Sequence, residues 1–293
     1  MLQALQDTCF SPRQTLRCPG GRVLDLRRPQ VMGILNLTPD SFFPGNRIGS
    51  QDELLRRAEL MLGQGASLLD LGGYSSRPGA EDISLEEEKR RVLPAIEAVR
   101  QAFPEAFISI DTFRAGVATE AVAAGADILN DISGGQLDAE LLPTVGQLQV
   151  PYILMHMRGT PQTMTQLTHY DDDLVLELVR YFRDKLAELR RHGITDVVLD
   201  PGFGFAKTPA QGHELLRRLP ELQVLGLPIL AGLSRKSMVS KALGLSAEAA
   251  LPGTVAVNTM ALLNGARILR VHDVAEAVQT IQLVSNTYSP VSP

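Results

Sequence analysis

The residues best suited to chemistry in this chain stand at the ends of short apolar runs. In order they are Asn36, Asp70, Asp111, Asn130, His156, Asp200, the group Ser234-Arg235-Lys236-Ser237, and Arg270 with His272. Carboxylates accept hydrogen bonds, lysine and arginine only donate them, and asparagine does both. A ligand with both kinds of edge uses this set fully. A flat heterocycle fits, with adjacent amino-pyrimidine N–H groups on one carboxylate and a carbonyl on an ammonium. The cations follow the seventh and eighth runs, where barrels of repeated strand and helix commonly hold phosphate. A phosphorylated heterocycle is the ligand class to which this chemistry points.

Single polar residues at strand ends also have plainer uses. Asp70 reads as a helix cap or loop tie, His156 as a packed strand-end histidine, and Met155 and Met157 as packing. Arg235 and Lys236 could be a solvated helix start, but a base there mildly opposes the dipole, which favours a functional reading of both. The sequence holds no G-x-S-x-G, H-E-x-x-H or Walker loop, so hydrolase, zinc-protease and NTPase readings have no support.

The elements that must carry these residues follow from hydropathy. The runs VMGILN, SLLDLGG, FISIDT, DILNDI, YILMHM, DVVLDPG, ILAGLSRKS and ARILRVHD are continuous rather than alternating, as strands of a parallel sheet buried on both faces should be. Helix signals fill the gaps. Ser50 with Glu53 and Ser84 with Glu87 have capping-box spacing, and DDDLVLELVRYFRDKLAELRRHG runs from acids to bases to a glycine stop. Eight such units without a G-x-G-x-x-G after the first strand predict an α/β fold, a single (β/α)8 TIM barrel. The Pro19-Gly20-Gly21 turn predicts a short N-terminal hairpin within residues 1–30. The barrel then spans 31–284 and a loose tail 285–293, all within one domain of 1–293.

Composition sets the outer limits. Five lysines and 23 arginines against 33 acids leave a net charge of −5 over 293 residues, so a basic nucleic-acid footprint is not expected. With 44% apolar and 21% charged residues the chain reads as an ordinary soluble globular protein rather than a disordered one. No apolar run reaches membrane-span length and the N-terminus lacks a secretory pattern, so the expectation is a cytoplasmic protein without a membrane partner. Cys9 and Cys18, nine apart and without a neighbouring histidine, read as free thiols.

Longer motifs then carry a resemblance. MGILNLTPDSF (32–42), LDLGGYSSRPG (69–79), SIDT (109–112), NDISGG (130–135), LMHMRGTPQTM (154–164), LDPGFGFAK (199–207), GLSRKS (232–237) and ARILRVHDV (266–274) together resemble the dihydropteroate synthases, in the right order from Val31 to Val274. The resemblance implies a transferase of folate biosynthesis, working with Mg²⁺ as a homodimer. Such an enzyme joins 6-hydroxymethyl-7,8-dihydropterin diphosphate to 4-aminobenzoate and releases diphosphate. It implies that Asp111, Asn130, Asp200 and Lys236 hold the pterin. Asn36, Ser76, Arg270 and His272 would hold the diphosphate, Asn36 also ligating Mg²⁺. The 4-aminobenzoate pocket would use Phe42, Arg77, Pro78, Phe205, Lys236 and Ser237. Arg77, Asp111, Lys236, Arg270 and His272 are the residues closest to catalysis, and Lys236 moves from phosphate to pterin.

The reaction so implied needs no protein nucleophile. Diphosphate departs from the pterin methylene, the electron-rich ring stabilises the cation, and the aniline nitrogen attacks it, while closing loops exclude water. The backbone amide of Ser237 is suited to the 4-aminobenzoate carboxylate. Two departures stand out. Tyr74 and Ser76 replace the Glu and Thr of the usual G-G-E-S-T-R-P-G. Phe43, Pro44 and Gly45 follow P-D-S-F where S-D-G is common, leaving Asp40 as the remaining first-loop acid for Arg77.

Three other readings exist. A pterin-binding barrel passing a methyl group to a corrinoid protein would not need the diphosphate set Asn36, Arg270 and His272. An inactive scaffold paralogue is supported only by Tyr74 and Pro44. A Schiff-base aldolase on Lys236 would need a desolvated, lowered-pKa lysine, for which Arg235 next door is weak evidence.

Overall fold

A computed structural model describes residues 14–37, 47–75 and 82–288. Strands β1 (Thr15–Arg17) and β2 (Val23–Asp25) form the antiparallel hairpin expected around Pro19-Gly20-Gly21. The barrel strands are β3 (Gln30–Asn36), β4 (Leu68–Gly72), β5 (Phe107–Asp111), β6 (Ile128–Asp131), β7 (Tyr152–Met155), β8 (Val197–Asp200), β9 (Ile229–Ala231) and β10 (Ala266–Val271). They coincide with the eight apolar runs. All pair in parallel, and β10 closes back on β3.

Around the barrel run α1 (Arg47–Gly63), α2 (Leu85–Ala102), α3 (Ala115–Ala123), α4 (Leu141–Leu148), α5 (Leu174–Arg191), α6 (Pro209–Arg217), α7 (Ser237–Leu243), α8 (Leu251–Leu263) and α9 (Val274–Tyr288). The α5 signals hold: Asp173 caps Leu176 N–H, Arg190 and Arg191 end the helix, and Gly193 turns the chain at φ +77°. Ser84 caps α2 through Glu87 N–H, but the Glu87 carboxylate binds Arg90 and Arg91 rather than completing a box. A full box, Thr208 with Gln211, starts α6 instead.

Three boundaries move. α1 begins at Arg47, so Ser50 lies inside that helix rather than at its cap. The barrel opens one residue early, at Gln30, where Ile268 is its register partner. The expected tail from 285 is helical as far as Tyr288, because Thr287 Oγ1 and the backbone continue the α9 pattern back to Leu283. Residues 289–293 lie outside the described residues, as does Cys9; Cys18 is a buried free thiol.

Alternation of side chains makes the barrel do two jobs. Leu69, Leu71, Leu129, Leu154, Leu199, Leu269 and Val271 face the helices, while Met32, Leu68, Ile128, Ile153, Val198, Leu230 and Ile268 meet inside. The hairpin plugs this inner layer with Leu16, Cys18, Leu24 and Leu26. Charged clips hold it there. Arg17 pairs with Asp196 at 2.9 Å ahead of β8, and Arg22 pairs with Asp127 ahead of β6, which also takes Arg100 at 2.6 Å. Two residues above the plug, the inward positions become Asp70, Asn130, Asp200 and Arg270. The lower end is closed and the upper end is polar.

Leu26, with no exposed surface, is central to the plug. Leu26→Ala should lower stability by about 2–5 kcal/mol, the usual cost of emptying a well-packed leucine site. Urea unfolding of both proteins reads this as a lower midpoint, and an unchanged midpoint would mean that the hairpin does not seal the barrel.

Candidate active site

The polar layer is a connected ion-pair network. Arg270 on β10 donates from Nε to Asp70 Oδ2 at 2.6 Å and from Nη2 to Asp111 Oδ2 at 2.8 Å. Asn130 Nδ2 donates to the same Asp70 oxygen at 3.0 Å. Strand pairing sets Asp70 beside Ile34 and Ser109, with Asp111 two residues further along β5 and beside Asn130. Gly72 leaves room for Asp111, since a β-carbon there would lie 3.3 Å from the Asp111 Cβ. Burial pushes the Asp111 carboxyl up and Arg270 pulls it back down. Burial also works against the Arg270 charge, but Asp70 and Asp111 outweigh it and hold the guanidinium above its ordinary value.

Asp200 ends β8 on the opposite wall, buried, with Oδ1 accepting Gly202 N–H at 2.8 Å. Burial raises its carboxyl, against the pull of Lys236. Lys236 precedes α7, donates from Nζ to the Phe203 carbonyl, and lies 4.8 Å from the centre of the Phe205 ring. Burial pushes its ammonium down to about 8, with Asp200 opposing. Ser237 is exposed as the first residue of α7, His272 is exposed just beyond β10 with its N–H on Ser234 Oγ at 3.3 Å, and Asn36 is half-buried at the end of β3. Thus Asn36, Asp111, Asn130, Asp200, Phe205, Lys236, Ser237, Arg270 and His272 all stand at the C-terminal end of the barrel. Phe42, Ser76, Arg77 and Pro78, with Asp40 and Pro44, lie outside the described residues.

Two readings of single residues change. Arg235 is not a ligand group: its Nε and Nη2 bind Asp273 at 2.9 and 2.7 Å and its Nη1 takes the Glu248 carbonyl, so it braces the turn in which it sits at φ +55°. Asp70 is not a helix cap but the anchor of Arg270. His156 is packed, as expected, against Tyr181 and Phe182, and Met155 and Met157 join Phe113, Ile132 and Ala206 in an apolar collar.

The residue that sequence reasoning missed is Lys207. Buried behind Asp200, its Nζ reaches His156 Nδ1 at 2.9 Å and the carbonyls of Gly202 and Phe205 at 3.2 and 3.1 Å. It thereby pins a loop in which Gly202, Gly204 and Ala206 all have positive φ. Gly202 is required, because a β-carbon there would lie 2.1 Å from the His156 carbonyl oxygen. A lysine inside the apolar, glycine-rich F-G-F-A-K was the available signal. Burial pushes Lys207 down to about 7, and burial with the Lys207 charge holds His156 well below its usual range.

Among the described residues no cluster of three histidine, cysteine or acidic ligands forms a metal cage, and no helix is long and apolar enough to cross a membrane. The Asn36 amide oxygen, at the mouth, is a hard donor of the kind that completes the shell of a Mg²⁺ carried on a phosphate ligand, and such an ion needs only one or two protein ligands.

Because the unfolded chain keeps the Lys207 proton up to the ordinary value of 10.5 while the fold releases it near 7, this group makes stability rise with pH between the two. Lys207→Met should flatten that rise, compared as urea midpoints at pH 7 and 9. An identical slope in both proteins would show Lys207 charged throughout.

Residues 32–272 match the model of the pterin binding enzyme family. The dihydropteroate synthase of Escherichia coli is 42% identical over 271 residues, covering 92% of this chain and 95% of its own. Solved structures agree. The Yersinia pestis dihydropteroate synthase in a sulfonamide drug complex superposes with a TM-score of 0.88 at 43% identity, covering 94% of this chain and 99% of that one. The Xanthomonas albilineans enzyme in complex with 7,8-dihydropteroate gives 0.84 at 38%, covering 94% and 100%. Polar barrel mouth, ordered motifs and near-complete coverage agree, and the chain belongs to the pterin-binding enzyme family, among its dihydropteroate synthases.

Proposed function

We propose that the mouth described above performs the synthase reaction with Mg²⁺, as a cytoplasmic homodimer, through the residue roles that follow. The enzyme joins 6-hydroxymethyl-7,8-dihydropterin diphosphate to 4-aminobenzoate and releases diphosphate. The observation that carries the roles is the set of acceptors Asp111, Asn130 and Asp200 facing the donors Lys236 and Arg270 above a buried apolar plug. Asp200 and Asp111 accept from the amino-pyrimidine edge, Asn130 donates and accepts beside them, and the Lys236 ammonium meets the pterin carbonyl.

Diphosphate leaves as the bond from the pterin methylene carbon to its oxygen breaks. Arg270 and His272 take up the departing negative charge, and Asn36 and Ser76 are assigned to the same diphosphate. Mg²⁺, held through Asn36, supplies further neutralisation of the leaving group when bound. The methylene cation is then attacked by the neutral aniline nitrogen, forming the C–N bond, and the nitrogen gives its proton to the released diphosphate. Phe205 and Lys236 form the described wall of the 4-aminobenzoate pocket, and Ser237 offers its N–H and hydroxyl to the carboxylate. Phe42, Arg77 and Pro78 are assigned to the same pocket, and the reaction requires exclusion of water that would capture the cation.

The homodimer is supported by α8, which is apolar on nearly all sides yet leaves Met260 and Leu263 exposed. An outward face of this kind suits a second copy of the chain.

Asp200→Asn and Lys236→Ala should each weaken pterin binding tenfold or more with circular dichroism unchanged, since a hydrogen bond to a charged group is worth about 1.5–3 kcal/mol. Wild-type affinity should fall as pH rises through about 8, where Lys236 loses its proton, and Lys236→Ala should lack that fall. Calorimetry against a pterin across pH 6.5 to 9 (roughly the span set by ordinary pKa ranges) decides both, and unchanged affinity in both variants would remove the assignment. Sedimentation should give twice the chain mass for the wild type and a single chain for Met260→Glu with Leu263→Glu; a monomeric wild type would reject the dimer.

A further inference from the structure

Asp70 has no place among the ligand groups just assigned, yet it is the most deeply buried carboxylate of the mouth. Its side chain has no exposed surface. A single oxygen, Oδ2, accepts both Arg270 Nε at 2.6 Å and Asn130 Nδ2 at 3.0 Å, so it touches one residue assigned to diphosphate and one assigned to pterin. Its other oxygen, Oδ1, is buried without a hydrogen-bond partner. The remaining engaged arm of Arg270, Nη2, lies on Asp111, which is itself a pterin acceptor. The guanidinium therefore engages a carboxylate that the pterin must claim.

We infer that Asp70 is a positioning residue that fixes Arg270 by its Nε, so that pterin arriving at Asp111 frees Nη2 for the diphosphate while the guanidinium stays in place. The inference rests on the roles proposed above for Asp111 and Arg270. The exchange is favourable in outline because Nη2 leaves one anionic oxygen for another, and the planar guanidinium can keep its Nε bond as it does so. A lysine at 270 could not do this, since it lacks the two fixed edges. The carboxylate charge of Asp70 matters as well as its shape: Arg270 is the cation paired with it, and a buried charge separated from its partner is costly.

The alternative is a brace that only ties β4 to β6 and β10. Asp70→Asn separates the two, because an amide oxygen in the Oδ2 position retains both hydrogen bonds while the charge is lost. The expected result is a loss of about tenfold or more in kcat and in diphosphate affinity measured with bare pterin present, with bare pterin affinity changed less than threefold, on the order of one charged hydrogen bond against none. Arg270→Gln should give the same pattern. The double variant should be no worse than Arg270→Gln alone, because Asp70 acts through Arg270. Losses that multiply in the double variant, or a pterin affinity that falls as far as kcat, would overturn the inference in favour of the brace.

A measurement on the wild type covers the case in which a variant fails to fold. The ¹⁵N-detected Arg270 Nε–H should remain protected from exchange when pterin and diphosphate are added, and loss of that protection would overturn the inference. Absence of wild-type turnover would count against the proposed reaction, whereas turnover with a multiplying cycle would count against Asp70 alone.

Discussion

One guanidinium held between two carboxylates organises the upper half of this barrel. Arg270 meets Asp70 and Asp111 above a layer of leucine, isoleucine, valine and methionine. Removing any one of these charges from water costs several kcal/mol unless its partner is present and well placed, so the charges can exist there only as a set. That requirement explains why the set spans several strands. β4, β5 and β10 each contribute one charge and β6 adds Asn130, and only a closed barrel brings these strands round to one another. The hairpin belongs to the same constraint, since its leucines and arginine clips close the lower end of the channel below those charges.

The opposite wall is balanced differently. Asp200 is flanked by two lysines, Lys207 buried and Lys236 half-buried, whose ammonium groups burial pulls down to about 8 at Lys236 and about 7 at Lys207. Asp200 works against both shifts. Lys236 faces the mouth and rests on the Phe203 carbonyl, so a ligand carbonyl can replace that acceptor at little cost. Lys207 faces inward, with two backbone carbonyls and His156 as partners, and holds the loop that supplies Phe203 and Phe205. The first lysine is available to a ligand and the second is committed to the loop. Arg235 shows the same division within three residues, spending its guanidinium on Asp273 while its neighbour Lys236 turns to the site.

Much of this was legible from residue order because the period of a strand is two. Once DILNDI is a parallel strand, Asn130 and Asp131 must face opposite ways. Asn130 enters the barrel, while Asp131 ties its own loop through Ser133 N–H, Gly135 N–H and the Tyr152 hydroxyl. Eight continuous apolar runs fixed the strands for the same reason. Pairings across the fold were not legible. Nothing local distinguishes Asp70 as an anchor for a residue 200 positions away, or Lys207 as the partner of a histidine 51 positions away. Caps failed where a helix extended past its first signal, as at Ser50, and tail polarity misled at Ser285 to Tyr288, where α9 simply continues.

Tyr74 bears on whether the departures from the family pattern reach the chemistry. Its ring meets Phe113 edge-on at 5.0 Å and its hydroxyl accepts from Gln162 at 3.1 Å, so it extends the apolar collar that Met155, Met157 and Phe205 share. The nearby cation is Arg114, 5.4 Å from the Tyr74 ring and 5.1 Å from that of Phe113. Its charge is met by the buried Glu88 at 2.8 Å, on α2. With that carboxylate in place, an acid at position 74 is not needed to neutralise Arg114, and a ring gains contact with Phe113 instead. The change is therefore confined to the rim. It leaves Asp70, Asp111, Asp200, Lys236 and Arg270 with their own partners, which is what a working site requires and what an idle scaffold would have no reason to keep.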